Sequence, residues 1–219
     1  FLVSCSDPYM PYERKLELTR KCLQIIEHYD FGATVITKSD LILRDLDLLK
    51  SIRKKAKCVV QMTLTTYDEA LCRIIEPNVC TTARRFEVLK ILQENQIPVI
   101  VWMTPILPYI NDTKENLEGI LDYCIRSGVK GIICFNAGMT LRDGDREYYY
   151  QALDRYFPGL RSVYQNQYGN SYHVLSERNE ELMALFPARC EENGIIHNVD
   201  ECFRYVHELP EKYEQLSFN

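Results

Sequence analysis

The chain has 219 residues, 46% hydrophobic and 26% charged, with 26 basic against 31 acidic side chains and a formal net charge of −5. That length supports one substantial core or at most two small ones, and the acidic balance argues against wholesale nucleic-acid wrapping, which runs on a basic surface. No apolar run approaches the roughly 18 residues of a membrane span and no leader is visible, so the expectation is a soluble, cytoplasmic α/β protein.

In chain order, FLVSC at 1–5 reads as a buried strand ended by Ser6-Asp7-Pro8. A helix is expected over 12–29, with Leu16, Thr19, Leu23 and Ile26 on one face. The β-branched run TVIT at 34–37 follows and stops on Lys38. Ser39-Asp40 then turns the chain into a helix with Asp45 and Asp47 in its first turn and Arg53, Lys54 and Lys55 at its end, an order that suits the helix dipole. A third strand covers 58–62 and runs into Thr63, Thr65 and Thr66; a short helix over 67–75 stops at Glu76-Pro77. A helix over 82–95 turns Phe86, Leu89 and Leu92 inward.

A strand over 97–103 is closed by Thr104-Pro105. Asp112 and Glu115 have capping-box spacing before a helix whose inward face is Leu117, Ile120, Leu121, Cys124 and Ile125. The last strand of the series, 131–135, leads to Asn136. Beyond about 145 helices and turns take over: a helix over 147–157, a turn at 168–170, a helix over 177–192 that Pro187 should kink or split, and a short helix through His207 capped by Asn198. Strands alternating with helices predict a partial (β/α) TIM-like barrel with parallel strands over residues 1–140, and a C-terminal helical extension over 141–219 packed on it.

In parallel strands the carboxyl ends share one rim, where α/β folds bind ligands. That rim would collect Ser6 and Asp7, Thr37 and Lys38, Thr63 and Thr65, Thr104 and Asn136. Strand ends turn polar wherever they meet water, so the hydroxyls alone decide nothing. An ammonium among them points to a small ligand bearing a carboxylate or phosphate. The nine cysteines (5, 22, 58, 72, 80, 124, 134, 190 and 202) include no C-x-x-C pair, several lie in apolar runs, and they read as reduced, buried thiols. His28, His173, His197 and His207 show no i, i+4 pairing; Tyr148-Tyr149-Tyr150 reads as a packed helix; Arg85 is a candidate ion-pair partner for Glu76. There is no metal-ligand cluster, Gly-rich phosphate loop or serine elbow.

The segments SDPYMPYE (6–13), TKSDLILRDLDLL (37–49), TLTTYDEALCRIIEP (63–77) and TPILPYIND (104–112) resemble, in that order, the spore photoproduct lyase-like branch of the radical S-adenosylmethionine (SAM) superfamily, often labelled DNA repair photolyase. The resemblance covers residues 1–136. It implies a partial (β/α)6 barrel that positions SAM on a [4Fe-4S] cluster held by three cysteines, C-x3-C-x2-C, for reductive cleavage to a 5′-deoxyadenosyl radical, with flavodoxin or ferredoxin as electron donor. That cysteine loop has no counterpart in the sequence. The expectation is therefore a fragment, inactive by this route, whose cluster-binding unit lies upstream of Phe1. By motif, Ser6 and Asp7 fall at the methionine amino end of SAM, Lys38 at its carboxylate, and Thr63 at a serine that assists. The lyase's hydrogen-donating cysteine would stand at Ser4, with Cys5 one step off, so the resemblance does not extend to thymine-dimer repair.

Two other functions fit the residues: an aldolase-like barrel with a Schiff base on Lys38, and a non-catalytic binding domain. Removal of a βα unit would leave a sheet edge open, which favours dimerisation.

Overall fold

The structure is a computed structural model that describes residues 6–208; the strand expected at 1–5, with Ser4 and Cys5, lies outside them. Four parallel strands form the central sheet in the order β1 (Ala33–Thr37), β2 (Cys58–Thr63), β3 (Val99–Trp102), β4 (Gly131–Ile133). The register aligns Thr37 with Met62 and Thr63 with Trp102, so the strand ends form one level rim. Between the strands run a 3-10 helix (Asp40–Asp45) and α3 (Leu46–Lys55), then α4 (Glu69–Ile75) and α5 (Thr82–Glu94), then α6 (Lys114–Arg126). This is the α/β, partial TIM-like barrel that the alternating pattern predicts.

The alternation of side chains sorts the sheet into two faces. Val60, Met62, Val99, Val101 and Ile132 pack with Leu49, Ile52, Leu89, Leu92, Leu117 and Ile120 in the main core. Each of these buried side chains contributes about 1.5–3 kcal/mol. The opposite face carries Val59, Ile100 and Ile133 against Cys202 and Val206 of α10 (Val199–His207). Above them, Trp102 Nε1 donates to Gln61 Oε1 (2.7 Å) and Gln61 Nε2 donates to Thr34 Oγ1 (2.8 Å). A Cβ on Gly131 would lie 2.9 Å from Cys202 Sγ and 2.9 Å from Ile100 Cδ1, so glycine is what lets α10 come this close to β4.

Several local expectations are corrected. The helix expected over 12–29 is two helices, α1 (Glu13–Leu16) and α2 (Leu18–His28), broken at Glu17 with φ 53°. The break lets the Glu13 carboxylate accept from the amides of Thr19 (3.1 Å) and Arg20 (3.4 Å), capping α2. Leu16 is consequently exposed, whereas Leu23 is buried. Asp45 does not sit in a first helical turn: it ends the 3-10 segment, and only Asp47 lies in the first turn of α3. Thr113, not Asp112, caps α6 by accepting from the Asn116 amide (3.1 Å); Asp112 is buried and accepts from the Ser176 hydroxyl.

Pro187 neither ends nor splits α9 (Asn179–Glu192), which buries Leu182, Phe186 and Cys190 along its length; that burial offsets the hydrogen bond a proline cannot donate. The region read as helices and turns also holds a two-stranded antiparallel sheet, β5 (Gly138–Thr140) with β6 (His173–Leu175), flanking α7 (Asp145–Tyr156) and α8 (Leu160–Tyr168). On α7, Tyr150 is buried and Tyr148 exposed, as a packed amphipathic helix requires. Asn198 caps α10 by accepting from the Glu201 amide.

Candidate functional site

Two of the sequence segments that flank the rim are tied to each other. The Asp7 carboxylate accepts from Tyr9 N (2.8 Å) and Thr37 Oγ1 (2.7 Å) through one oxygen, and from Lys38 N (2.8 Å) through the other. It therefore fixes the end of β1, and Thr37 Oγ1 accepts in turn from Ser39 N (2.9 Å). A second set of contacts joins the same segments. Arg44 donates to Glu13 Oε1 (2.7 Å), and the fully buried Asp45 accepts from Tyr9 Oη (3.1 Å), Arg20 (2.9 Å) and Arg44 (2.8 Å). Burial alone would raise the carboxyls of Glu13 and Asp45, but the arginines outweigh it and hold both below the usual range. Burial, reinforced by the neighbouring Asp45 carboxylate, pushes the Tyr9 phenol up.

Lys38 is one residue beyond β1. Its ammonium pairs with Glu76 Oε1 at 2.5 Å, with 35% of the lysine side chain exposed and 9% of the glutamate. The other oxygen, Glu76 Oε2, accepts from Arg85 at 2.7 Å. Arg85 is fully buried and also donates to the carbonyls of Cys80 (2.9 Å) and Thr63 (2.8 Å). Burial pushes the Glu76 carboxyl up, Arg85 and Lys38 pull it down more strongly, and it stays ionised. The Cys80 thiol donates to the Lys38 carbonyl (3.0 Å), joining the loop after Pro77 to the strand end.

The four residues picked out from the sequence thus lie on one rim. Asp7 bonds the Lys38 backbone, and Lys38 reaches Thr63 through Glu76 and Arg85. Ser6 is exposed next to Asp7, and Thr63 is buried at the end of β2. An open cleft of about 550 Å³ lies on the Asp7 side of this rim; of the four residues only Asp7 lines it, with Met10, Ser39, Asp40, Val79 and Cys80. The Glu76–Arg85 pair was legible from the sequence; the Lys38–Glu76 contact was not, because no local spacing links residues in two separate βα loops. Among the described residues Thr104 and Asn136 make no hydrogen bond to this group. Thr104 precedes Pro105 through a cis peptide, and Asn136 stands between β4 and β5.

Among the described residues no group of three or more His, Cys, Asp or Glu side chains could hold a metal ion. The described cysteines are free and mostly buried. Burial pushes the thiols of Cys58, Cys134 and Cys190 to about 12 and that of Cys202 to about 11, far from the thiolate state that metal ligation needs. These residues do not fit an iron–sulfur cluster.

The fold and rim define a partial β/α barrel with charged side chains at the carboxyl ends of its strands. No family model matches the chain. It is 35% identical over 114 residues to an uncharacterized protein of Methanocaldococcus jannaschii, covering 52% of this chain and 42% of that protein. An uncharacterized protein of Mycobacterium tuberculosis is 26% identical over 163 residues, 74% of this chain and 47% of the relative. The chain therefore spans less than half the length of these curated relatives. Among solved structures, spore photoproduct lyase, a variant with bound AdoMet and dinucleoside spore photoproduct, superposes with a TM-score of 0.63 over 90% of this chain and 59% of that one, at 13% identity. That likeness shows the fold, a partial β/α barrel.

Proposed function

We propose that the rim binds the amino-acid end of SAM, and that the chain is the SAM-binding barrel portion of a protein of the radical SAM superfamily, in its spore photoproduct lyase-like branch. One observation carries the reading. Asp7 accepts only from neutral donors, and among the described residues no cation pairs with it. One residue beyond the strand that Asp7 fixes stands Lys38, its side chain about a third exposed and its ammonium engaged by Glu76 through one oxygen. A carboxylate with no cation of its own, and a lysine on the adjoining rim residue that has donors beyond the one Glu76 takes, complement a zwitterionic α-amino acid. Asp7, with Ser6, would take its ammonium and Lys38 its carboxylate, and the Thr63 hydroxyl would lie beside that carboxylate.

SAM bound with a reduced [4Fe-4S] cluster supplies the radical chemistry of such enzymes. The described residues hold no such cluster, so the role assigned to them is to bind and orient. Asp7 sets the amino group against the end of β1, and Lys38 sets the carboxylate one residue further along.

The Schiff-base alternative loses ground on the same geometry. It needs a free amine lone pair, whereas the Lys38 ammonium donates to a buried carboxylate at 2.5 Å. The test is a thermal-shift titration with SAM and with 5′-methylthioadenosine, which lacks the amino-acid end. At about 100 times Kd a ligand adds about 2.7 kcal/mol, a rise of about 5–11 °C for a chain of this size. SAM should give it and methylthioadenosine should fall well short. Equal shifts from the two, or no shift from SAM, would leave the barrel as a binding domain for something else.

A further inference from the structure

We infer that Glu76 is a positioning residue for Lys38: anchored by Arg85, it fixes where the ammonium points and so prepares it to receive a ligand carboxylate. The inference rests on the reading of the rim given above and adds to it a residue from another βα loop.

Three observations carry it. First, Arg85 alone would neutralise Glu76, and each of its three nitrogens is engaged, Nε with Cys80 O, one terminal nitrogen with Thr63 O and the other with Glu76 Oε2. The second glutamate oxygen is therefore left facing the rim, where it takes Lys38 at 2.5 Å. Second, Lys38 has three donors. Glu76 engages one, and the backbone on both sides of the lysine is held as well, its amide by Asp7 and its carbonyl by the Cys80 thiol. Two donors remain, on a side chain that is 35% exposed. Third, the same guanidinium that holds Glu76 holds the Thr63 carbonyl, so the ammonium and the end of β2 are set by one rigid, buried group. A lysine stem left to itself has free rotamers, and ordering one on ligand binding costs on the order of 0.5–1.5 kcal/mol. In this rim the ordering is done before the ligand arrives.

The charges point the same way. Lys38 and Arg85 against Glu76 leave one positive charge over and Asp7 supplies one negative charge, so the rim offers one unmatched charge to each end of a zwitterion. The contact is thus a shared ammonium, and ligand binding need not break it.

Isothermal titration of SAM and 5′-methylthioadenosine into wild type, Glu76→Gln and Lys38→Met tests this. Glu76→Gln should weaken SAM about tenfold, the value of one freed rotamer-rich side chain, and leave methylthioadenosine unchanged. A purely structural role would weaken both ligands alike, and that result would overturn the inference. So would unchanged or tighter SAM binding in Glu76→Gln while Lys38→Met still discriminates; in that case the rim reading stands and the positioning role falls. If Lys38→Met also binds SAM as wild type does, the rim reading fails and the inference fails with it. Should Glu76→Gln not fold, the ligand-free wild type decides by nitrogen NMR of its lysine ammonium groups, with Lys38→Arg for assignment. A Lys38 signal in slow exchange with water supports the held ammonium, and one averaged like the exposed lysines overturns it.

Discussion

Asp7→Asn separates the structural and ligand roles of the rim. The carboxylate accepts three hydrogen bonds, two on Oδ1 from Tyr9 N and Thr37 Oγ1 and one on Oδ2 from Lys38 N. An asparagine keeps the shape but has one acceptor oxygen. If that oxygen faces Tyr9 and Thr37, the new NH2 confronts the Lys38 amide, and one bond becomes a donor facing a donor. A bond to a charged group is worth about 1.5–3 kcal/mol and a neutral one about 0.5–1.5. Losing one and weakening two, with discount for the part-exposed setting, gives a destabilisation of about 2–3 kcal/mol. For a chain of this length each kcal/mol moves Tm by about 2–4 °C, so calorimetry should show a fall of about 4–12 °C. SAM stabilisation should fall as well, because the charge complementary to its ammonium is gone. A Tm within about 1 °C of wild type would mean that the carboxylate does not hold the end of β1, and the geometry assigned to the rim would be wrong.

Asp45→Asn should be more damaging. It leaves Arg20 and Arg44 facing a neutral group at a fully buried position, and breaking such a network costs about 3–5 kcal/mol; urea unfolding should show an earlier midpoint with an unchanged slope. Acid should act through the same groups. Glu13, Asp45 and Glu76 all have folded values held below their unfolded ones. Their stabilisation is therefore complete above the unfolded range, about 3.9–4.3, and is lost as pH falls through the depressed folded values. Unfolding free energy followed from pH 7 downward should stay level to about pH 5 and then drop; a decline that begins near neutrality would point to other groups. Borohydride treatment with a carbonyl ligand should leave Lys38 unmodified by mass spectrometry, and trapping there would revive the aldolase reading.

The strands were legible because each is a continuous apolar run closed by a polar residue, and parallel order followed from the helices between them. Lys38 was legible for the same reason, as a charge at the end of such a run. What the sequence hid depends on side chains reaching across the chain. The break at Glu17 comes from Glu13 turning forward to cap α2, which no apolar period records. The β5–β6 pair joins two three-residue strands separated by two helices, too short to register against helical neighbours. Asp112 looked like a cap because capping residues and buried acceptors share the same chemistry; its partner Ser176 lies far along the chain. Glu76 looked like a helix stop, and only the folded loops bring its carboxylate between Arg85 and Lys38.

The most direct measurement is a crystal structure of the chain with SAM bound. The account predicts the ligand's amino nitrogen against Asp7 and its carboxylate within about 3 Å of Lys38 Nζ, with the Glu76 contact retained. A well-ordered SAM whose methionine end lies away from Asp7 and Lys38 would contradict it.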